Sequence, residues 1–170
     1  ILAALRYLRG EESFLAVPAD AKTQAPASVY LTAEELWDPT DGFYHAEWTA
    51  DGHAYRWVGP NREFRFFVEI DRSAPLVMRL EALFARSGAD ITDLTCRVDG
   101  RITRLEHRPS SCEFTALIPA RDSGCRLVLD FVGPPTDLAS ETDPRQISLA
   151  VKSLRLTPVL AENGDGERSR

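Results

Sequence analysis

Glu63-Phe-Arg-Phe-Phe-Val-Glu-Ile-Asp71 is the stretch that decides the fold. Phe64, Phe66, Val68 and Ile70 take alternate positions, and Glu63, Arg65, Glu69 and Asp71 fall between them. A strand sends successive side chains to opposite faces, so this period of two makes one apolar face and one charged face. A helix, with a period of about 3.6, would mix the two sets. Phe67 stands on the charged phase. It is expected either to pack under the N-terminal segment or to form part of an exposed apolar patch.

The same alternation recurs downstream. Leu76–Phe84 places Leu76, Met78, Leu80, Ala82 and Phe84 inward. Leu94–Val98 runs into Asp99-Gly100, a dipeptide favoured at tight hairpin turns, and Ile102–His107 is read as the returning strand. Cys112–Ile118 turns Cys112, Phe114, Ala116 and Ile118 inward; Cys125–Phe131 does the same with Cys125, Leu127, Leu129 and Phe131. Gln146–Leu156 starts with Ile147, Leu149 and Val151 inward and then slips to Leu154 and Leu156. One extra residue near Lys152-Ser153, a β-bulge, would produce that slip. The sum is about seven or eight short strands with no long helix between them, an all-β antiparallel two-sheet sandwich of jelly-roll-like form.

The sandwich is expected over residues 37–160. Ahead of it, Ile1, Leu5 and Leu8 recur at helical spacing before Gly10, so a short N-terminal helix is expected, followed by an extended linker to residue 36. Thr32-Ala-Glu-Glu35 has the form of an N-cap with acidic first-turn residues and predicts one helical turn. Residues 161–170 are polar, with nothing to bury, and are expected to be loosely held. The chain opens on Ile1, and the expectation is a piece of a longer protein with a partner enzyme domain upstream.

The chain has 170 residues and a net charge of −6, which suits one domain and argues against a nucleic-acid backbone as partner. No apolar run approaches the roughly 18 residues of a membrane span. Cys96, Cys112 and Cys125 all fall on the apolar phase of a strand and read as buried, reduced thiols. Reduced thiols without a signal peptide point to the cytoplasm.

Chemical individuality is concentrated between Trp37 and Pro60. This stretch holds all three tryptophans, Trp37, Trp48 and Trp57, together with Tyr44, Tyr55, His45 and His53. Asp38, Asp41, Glu47, Asp51 and Arg56 are interleaved with them. Sugar recognition needs flat apolar surfaces for the ring faces and planar polar groups for the hydroxyls, and these residue types supply both. Trp57, Tyr44 and Trp48 are the candidates for stacking; Arg56, Glu47 and His45 are the candidates for hydrogen bonding. Core and rim packing is the competing reading of the same aromatics. His45-x-Glu47 with His53 nearby suggests a metal site, but the remaining ligand spacing of such sites is missing. No metal cofactor is expected for catalysis; structural calcium is a candidate through the loop carboxylates Asp38, Asp41, Asp51, Asp137 and Asp143. Asp143 and Arg145, either side of Pro144, read as a structural clamp at the entry to the last strand. No carboxylate pair, nucleophile elbow or phosphate loop is marked out, which favours a non-catalytic domain.

Two motifs carry a resemblance. One is Gly42-Phe43-Tyr44 with Glu47 and then Arg56-Trp57 before Gly59-Pro60; the other is the run Gly133–Leu156, GPPTDLASETDPRQISLAVKSLRL. Together they resemble the β-sandwich accessory domains of bacterial glycosyltransferases and other polysaccharide-biosynthesis proteins, over roughly residues 40–158. Gln146-Ile147 stands where a Leu-Gly often follows the arginine in that pattern. The resemblance implies a jelly-roll-like fold and a glycan-related context. The functional expectation is a carbohydrate-binding module-like domain that holds a glycan or polysaccharide near a partner enzyme. The alternative is a structural or assembly domain that contacts another domain or a second copy of itself.

Overall fold

The computed structural model describes residues 25–35, 41–86, 91–108, 112–122 and 124–159. The expected N-terminal helix, most of the linker and the polar tail lie outside the described residues. The strands in chain order are β1 (Val29–Thr32), β2 (Phe43–Trp48), β3 (Ala54–Val58), β4 (Glu63–Glu69), β5 (Leu76–Ala85), β6 (Thr95–Val98) and β7 (Arg101–Thr103). They continue with β8 (Glu106–Arg108), β9 (Glu113–Ile118), β10 (Arg126–Val132), β11 (Asp137–Leu138), β12 (Gln146–Ile147) and β13 (Leu149–Pro158). No helix among the described residues is long and apolar enough to cross a membrane.

The fold is an antiparallel β-sandwich. The larger sheet has the order β2-β3-β13-β5-β9-β8, with β1 also paired to β13; the smaller has the order β4-β10-β6-β7. Strands β11 and β12 form a separate two-stranded ribbon. The chain passes from sheet to sheet at most connections, as jelly rolls do. Phe64, Phe66 and Val68 of β4 close on Leu76, Met78 and Leu80 of β5, on Phe114 of β9 and on Leu127, Leu129 and Phe131 of β10 in one buried core. Phe64 and Phe131 stack at 4.9 Å between ring centres. Burying each such side chain contributes about 1.5–3 kcal/mol, which is why the period-two pattern fixes the faces.

Asp99 and Gly100 both have positive φ, 48° and 81°, as the tight β6–β7 hairpin requires. The bulge expected near Lys152 is present: the β13–β5 register shifts between Ala150 and Val151 and again between Val151 and Ser153. It divides one edge of β13 between two neighbours, Ala150 and Val151 pairing with β3 and Ser153–Leu156 with β1.

Four expectations are corrected. Ile102–His107 is not one strand: β7 pairs with β6 in the small sheet, while β8 pairs with β9 in the large one. The chain changes sheets at Arg104-Leu105, and local alternation does not record which neighbour a strand meets. Phe84 is exposed rather than inward, because the register shift against β13 leaves it opposite Ala150 on the outer face. Of the cysteines only Cys96 is buried; Cys125 is exposed, and Cys112 sits half-buried at a positive φ just before β9. Burial, with Asp130 adding to it, pushes the Cys96 thiol up to about 12. Thr32–Glu35 makes a hydrogen-bonded turn, in which Glu35 N–H donates to the Thr32 carbonyl at 3.1 Å, rather than the expected helical turn.

Candidate functional site

The residues nominated from the 37–60 stretch separate into three groups. Trp37 and Asp38 lie outside the described residues. Arg56 and Trp57 are buried, only 5% and 8% exposed, and on opposite faces of β3. The Arg56 guanidinium donates to the carbonyls of Ala33 (2.9 Å), Tyr44 (3.1 Å) and Glu35 (2.7 Å). It pins the turn after β1 to β2, and those N–H groups are not available to a sugar. Trp57 packs edge-to-face against Tyr55 (5.9 Å) and Phe84 (5.2 Å) beneath Ile147 and Ala150, so it serves as packing and not as a stacking platform.

Tyr44 and Glu47 belong to a clamp with Asp143 and Arg145. Arg145 Nη1 donates to Glu47 Oε1 and Nη2 to Asp143 Oδ2, both at 2.6 Å, and the guanidinium lies 5.3 Å over the Tyr44 ring. Tyr55 Oη donates to Glu47 Oε2 at 3.2 Å. The hydrogen bonds that Arg145 donates to Asp143, then the one it donates to Glu47, raise the guanidinium pKa, and Arg145 in turn holds Asp143 below the usual carboxylate range. Burial first, and the Glu47 charge second, raise the Tyr55 phenol. Asp143 and Arg145 therefore form an ion pair, and Arg145 reaches on to Glu47 of β2. It straps the loop before β13 across the outer face of the large sheet.

His45 and Trp48 are the exposed remainder. The β2–β3 register shifts between Phe43 and Ala46, so His45 lies in a bulge; Trp48 ends the strand at 58% exposure. His53 faces Asp51, Nε2 to Oδ2 at 3.5 Å. Among the described residues no group of three or more His, Cys, Asp or Glu side chains is gathered to hold a metal, so the loop carboxylates Asp41, Asp51, Asp137 and Asp143 do not converge on a calcium site.

A concavity lies elsewhere, on the small sheet: an open groove of about 700 Å³. Arg65 of β4, Asp130 of β10, Arg97 of β6 and Ile102 of β7 are direct cross-strand neighbours and form a row along its floor. Such neighbours stand about 5 Å apart. Glu63, Val132 and Thr95 make the next row. Gly42, Gly59, Pro60 and Asn61 form the rim. Gly42 adopts a φ of 92° and lies so close to β4 that a Cβ would run into the Glu63 carbonyl. Arg65 Nε is bonded to Asp130 Oδ1, whereas Arg97 is exposed and makes no ion pair among the described residues. Ile102 is 81% exposed beside it.

Glu63 and Arg65 were legible as outward-facing from the alternation of β4. That Asp130, Arg97 and Ile102 join them was not, because they meet only through the order β4-β10-β6-β7.

No family model matches the chain, and no curated protein matches it. Among solved structures it is similar to the crystal structure of the ANX2 ectodomain from Arabidopsis thaliana, at 13% identity and a TM-score of 0.40. That likeness covers 64% of this chain and 33% of the other, so the chain spans about a third of that protein's length. Likeness at this level bears on neither family nor function.

Proposed function

We propose that this chain is a non-catalytic glycan-binding sandwich, which holds a saccharide chain in the groove of the small sheet for a partner enzyme of polysaccharide synthesis. The observation that supports it is the composition of the groove floor. A guanidinium without an ion-pair partner among the described residues, Arg97, stands between a carboxylate, Asp130, and an exposed aliphatic side chain, Ile102. Asn61, Glu63 and Thr95 add amide, carboxylate and hydroxyl groups along the same groove. Vicinal hydroxyls take bidentate bonds from such planar groups, and a sugar C–H face covers the apolar ones. The groove is open and its polar groups are solvated in the free protein, so affinity per site is modest, with a Kd of about 0.1–1 mM. Tethering to an enzyme would raise the effective concentration.

The test is a titration with bacterial polysaccharides and their oligosaccharides, followed by backbone amide shifts. Binding is expected to move signals of Arg97, Ile102, Asp130 and Asn61. Arg97→Ala is expected to weaken it about tenfold, or about 1.4 kcal/mol. Silence across all glycans, or binding indifferent to Arg97→Ala, would remove the groove from consideration.

A further inference from the structure

Among the described residues, strand β4 is an end strand of the small sheet. Its even residues turn their backbone toward β10: Ile70 N–H donates to the Cys125 carbonyl at 2.8 Å, and Val68 pairs with Leu127 in the same register. In an antiparallel ladder the intervening residues then point their N–H and C=O groups the other way. Arg65, Phe67 and Glu69 thus present a regular row of backbone donors and acceptors along an edge that is open among the described residues. Asp71 N–H donates to the Pro26 carbonyl at 2.9 Å and closes one end of it, and Gly42 abuts Glu63 at the other. The open run is Arg65–Glu69. It has no register shift against β10, no proline and no lysine, the features by which edge strands usually resist pairing. Phe67, at its centre, is 46% exposed, with Arg65 and Arg126 over its ring at 5.5 and 5.1 Å.

We infer that a second copy of this chain pairs with that edge, β4 against β4 in antiparallel register about a two-fold axis at Phe67. The charge pattern selects this partner and this register. Centred on Phe67, Phe67 faces its symmetry mate, and Arg65 of each copy faces Glu69 of the other. Within the open run, moving the centre to Phe66 would set each Arg65 opposite Phe67 and lose the Arg65–Glu69 pairs. Cross-strand opposite charges and aromatic pairs stabilise a ladder, and like charges destabilise it. The Phe67 register also joins residues whose backbone groups point outward, giving about six new hydrogen bonds. The two small sheets become one continuous sheet, with both grooves on the same face. A contact of this length is small, so a dimer with a Kd of about 10–100 μM is expected.

Sedimentation velocity over a range of protein concentrations tests this. The wild-type chain is expected to pass from monomer to dimer. Glu69→Arg is expected to weaken the dimer at least about tenfold, since it sets Arg65 against an arginine. Arg65→Glu should do the same by setting glutamate against Glu69. Mixing the two variants restores both opposite-charge pairs, so the mixture should dimerise where neither variant does alone. Arg65→Glu also removes the partner of Asp130, so the melting temperature of each variant is measured alongside. Should that variant fail to fold, amide exchange of the wild-type chain decides: the N–H groups of Arg65, Phe67 and Glu69 should exchange more slowly as concentration rises. A monomer at every concentration, a dimer indifferent to charge reversal, a mixture no better than its parts, or exchange at those amides independent of concentration would each overturn the proposal.

Discussion

Arg56 shows how a single side chain can hold two parts of the chain together. Its guanidinium serves three carbonyl oxygens from the turn after β1 and from β2. Arg56→Lys keeps the charge but loses the fork, since an ammonium on a flexible stem cannot reach all three. We expect a loss of about 2–4 kcal/mol, measured by urea unfolding. Asp143 gives the second prediction at this scale. Hydrogen bonds from Arg145 hold its folded pKa below the ordinary carboxylate value, so the folded state binds fewer protons than the unfolded one through that range. Its contribution is present above about pH 4 and is lost as pH falls through the folded value. Melting temperature should therefore decline more steeply below about pH 4 in the wild type than in Asp143→Asn. Equal slopes would mean that the clamp does not contribute. Trp57→Ala would be a poor probe of ligand binding, because Trp57 is packing between Tyr55 and Phe84 and its removal damages the sheet.

At the scale of the element, the strands were legible wherever one face is buried against the other sheet. Glu63–Glu69 and the first part of Leu76–Ala85 show it, since each alternates between buried and exposed positions. Legibility ended where pairing rather than burial decides the outcome. Phe84 looked inward because nothing local announces the shift that Leu83 introduces opposite β13. The nominated ligand residues are separated for a related reason. Tyr44, Glu47, Arg56 and Trp57 are close in sequence, yet β2 and β3 send them to a strap, a backbone anchor and a packed patch. The groove residues come from four strands, spread between Glu63 and Val132, and only the sheet order assembles them. The β6–β7 hairpin gives the prediction at this scale. Gly100→Val puts a β-branched residue at a φ of 81°, and a loss of about 1–2 kcal/mol is expected in the same unfolding assay. An unchanged midpoint would mean that the turn relaxes freely.

For the molecule as a whole, stability rests mainly on the core between the two sheets. Phe131 is central to it, stacked on Phe64 and edge-on to Phe66. Phe131→Ala should cost about 3–5 kcal/mol, a large share of the stability of a domain this size. Thermal denaturation followed by circular dichroism would check it, and a loss under about 1 kcal/mol would mean that the core re-forms around the gap. The burial of Cys96 has a further use as a chemical clock. Thiolate is the species that alkylates, and the folded protein holds this thiol protonated and shielded. Its modification therefore waits on opening of the core, whereas Cys125, exposed at the start of β10, is accessible in the native state. Two thiols of one chain thus report at two rates, and their ratio reads how often the sandwich comes apart without any denaturant being added.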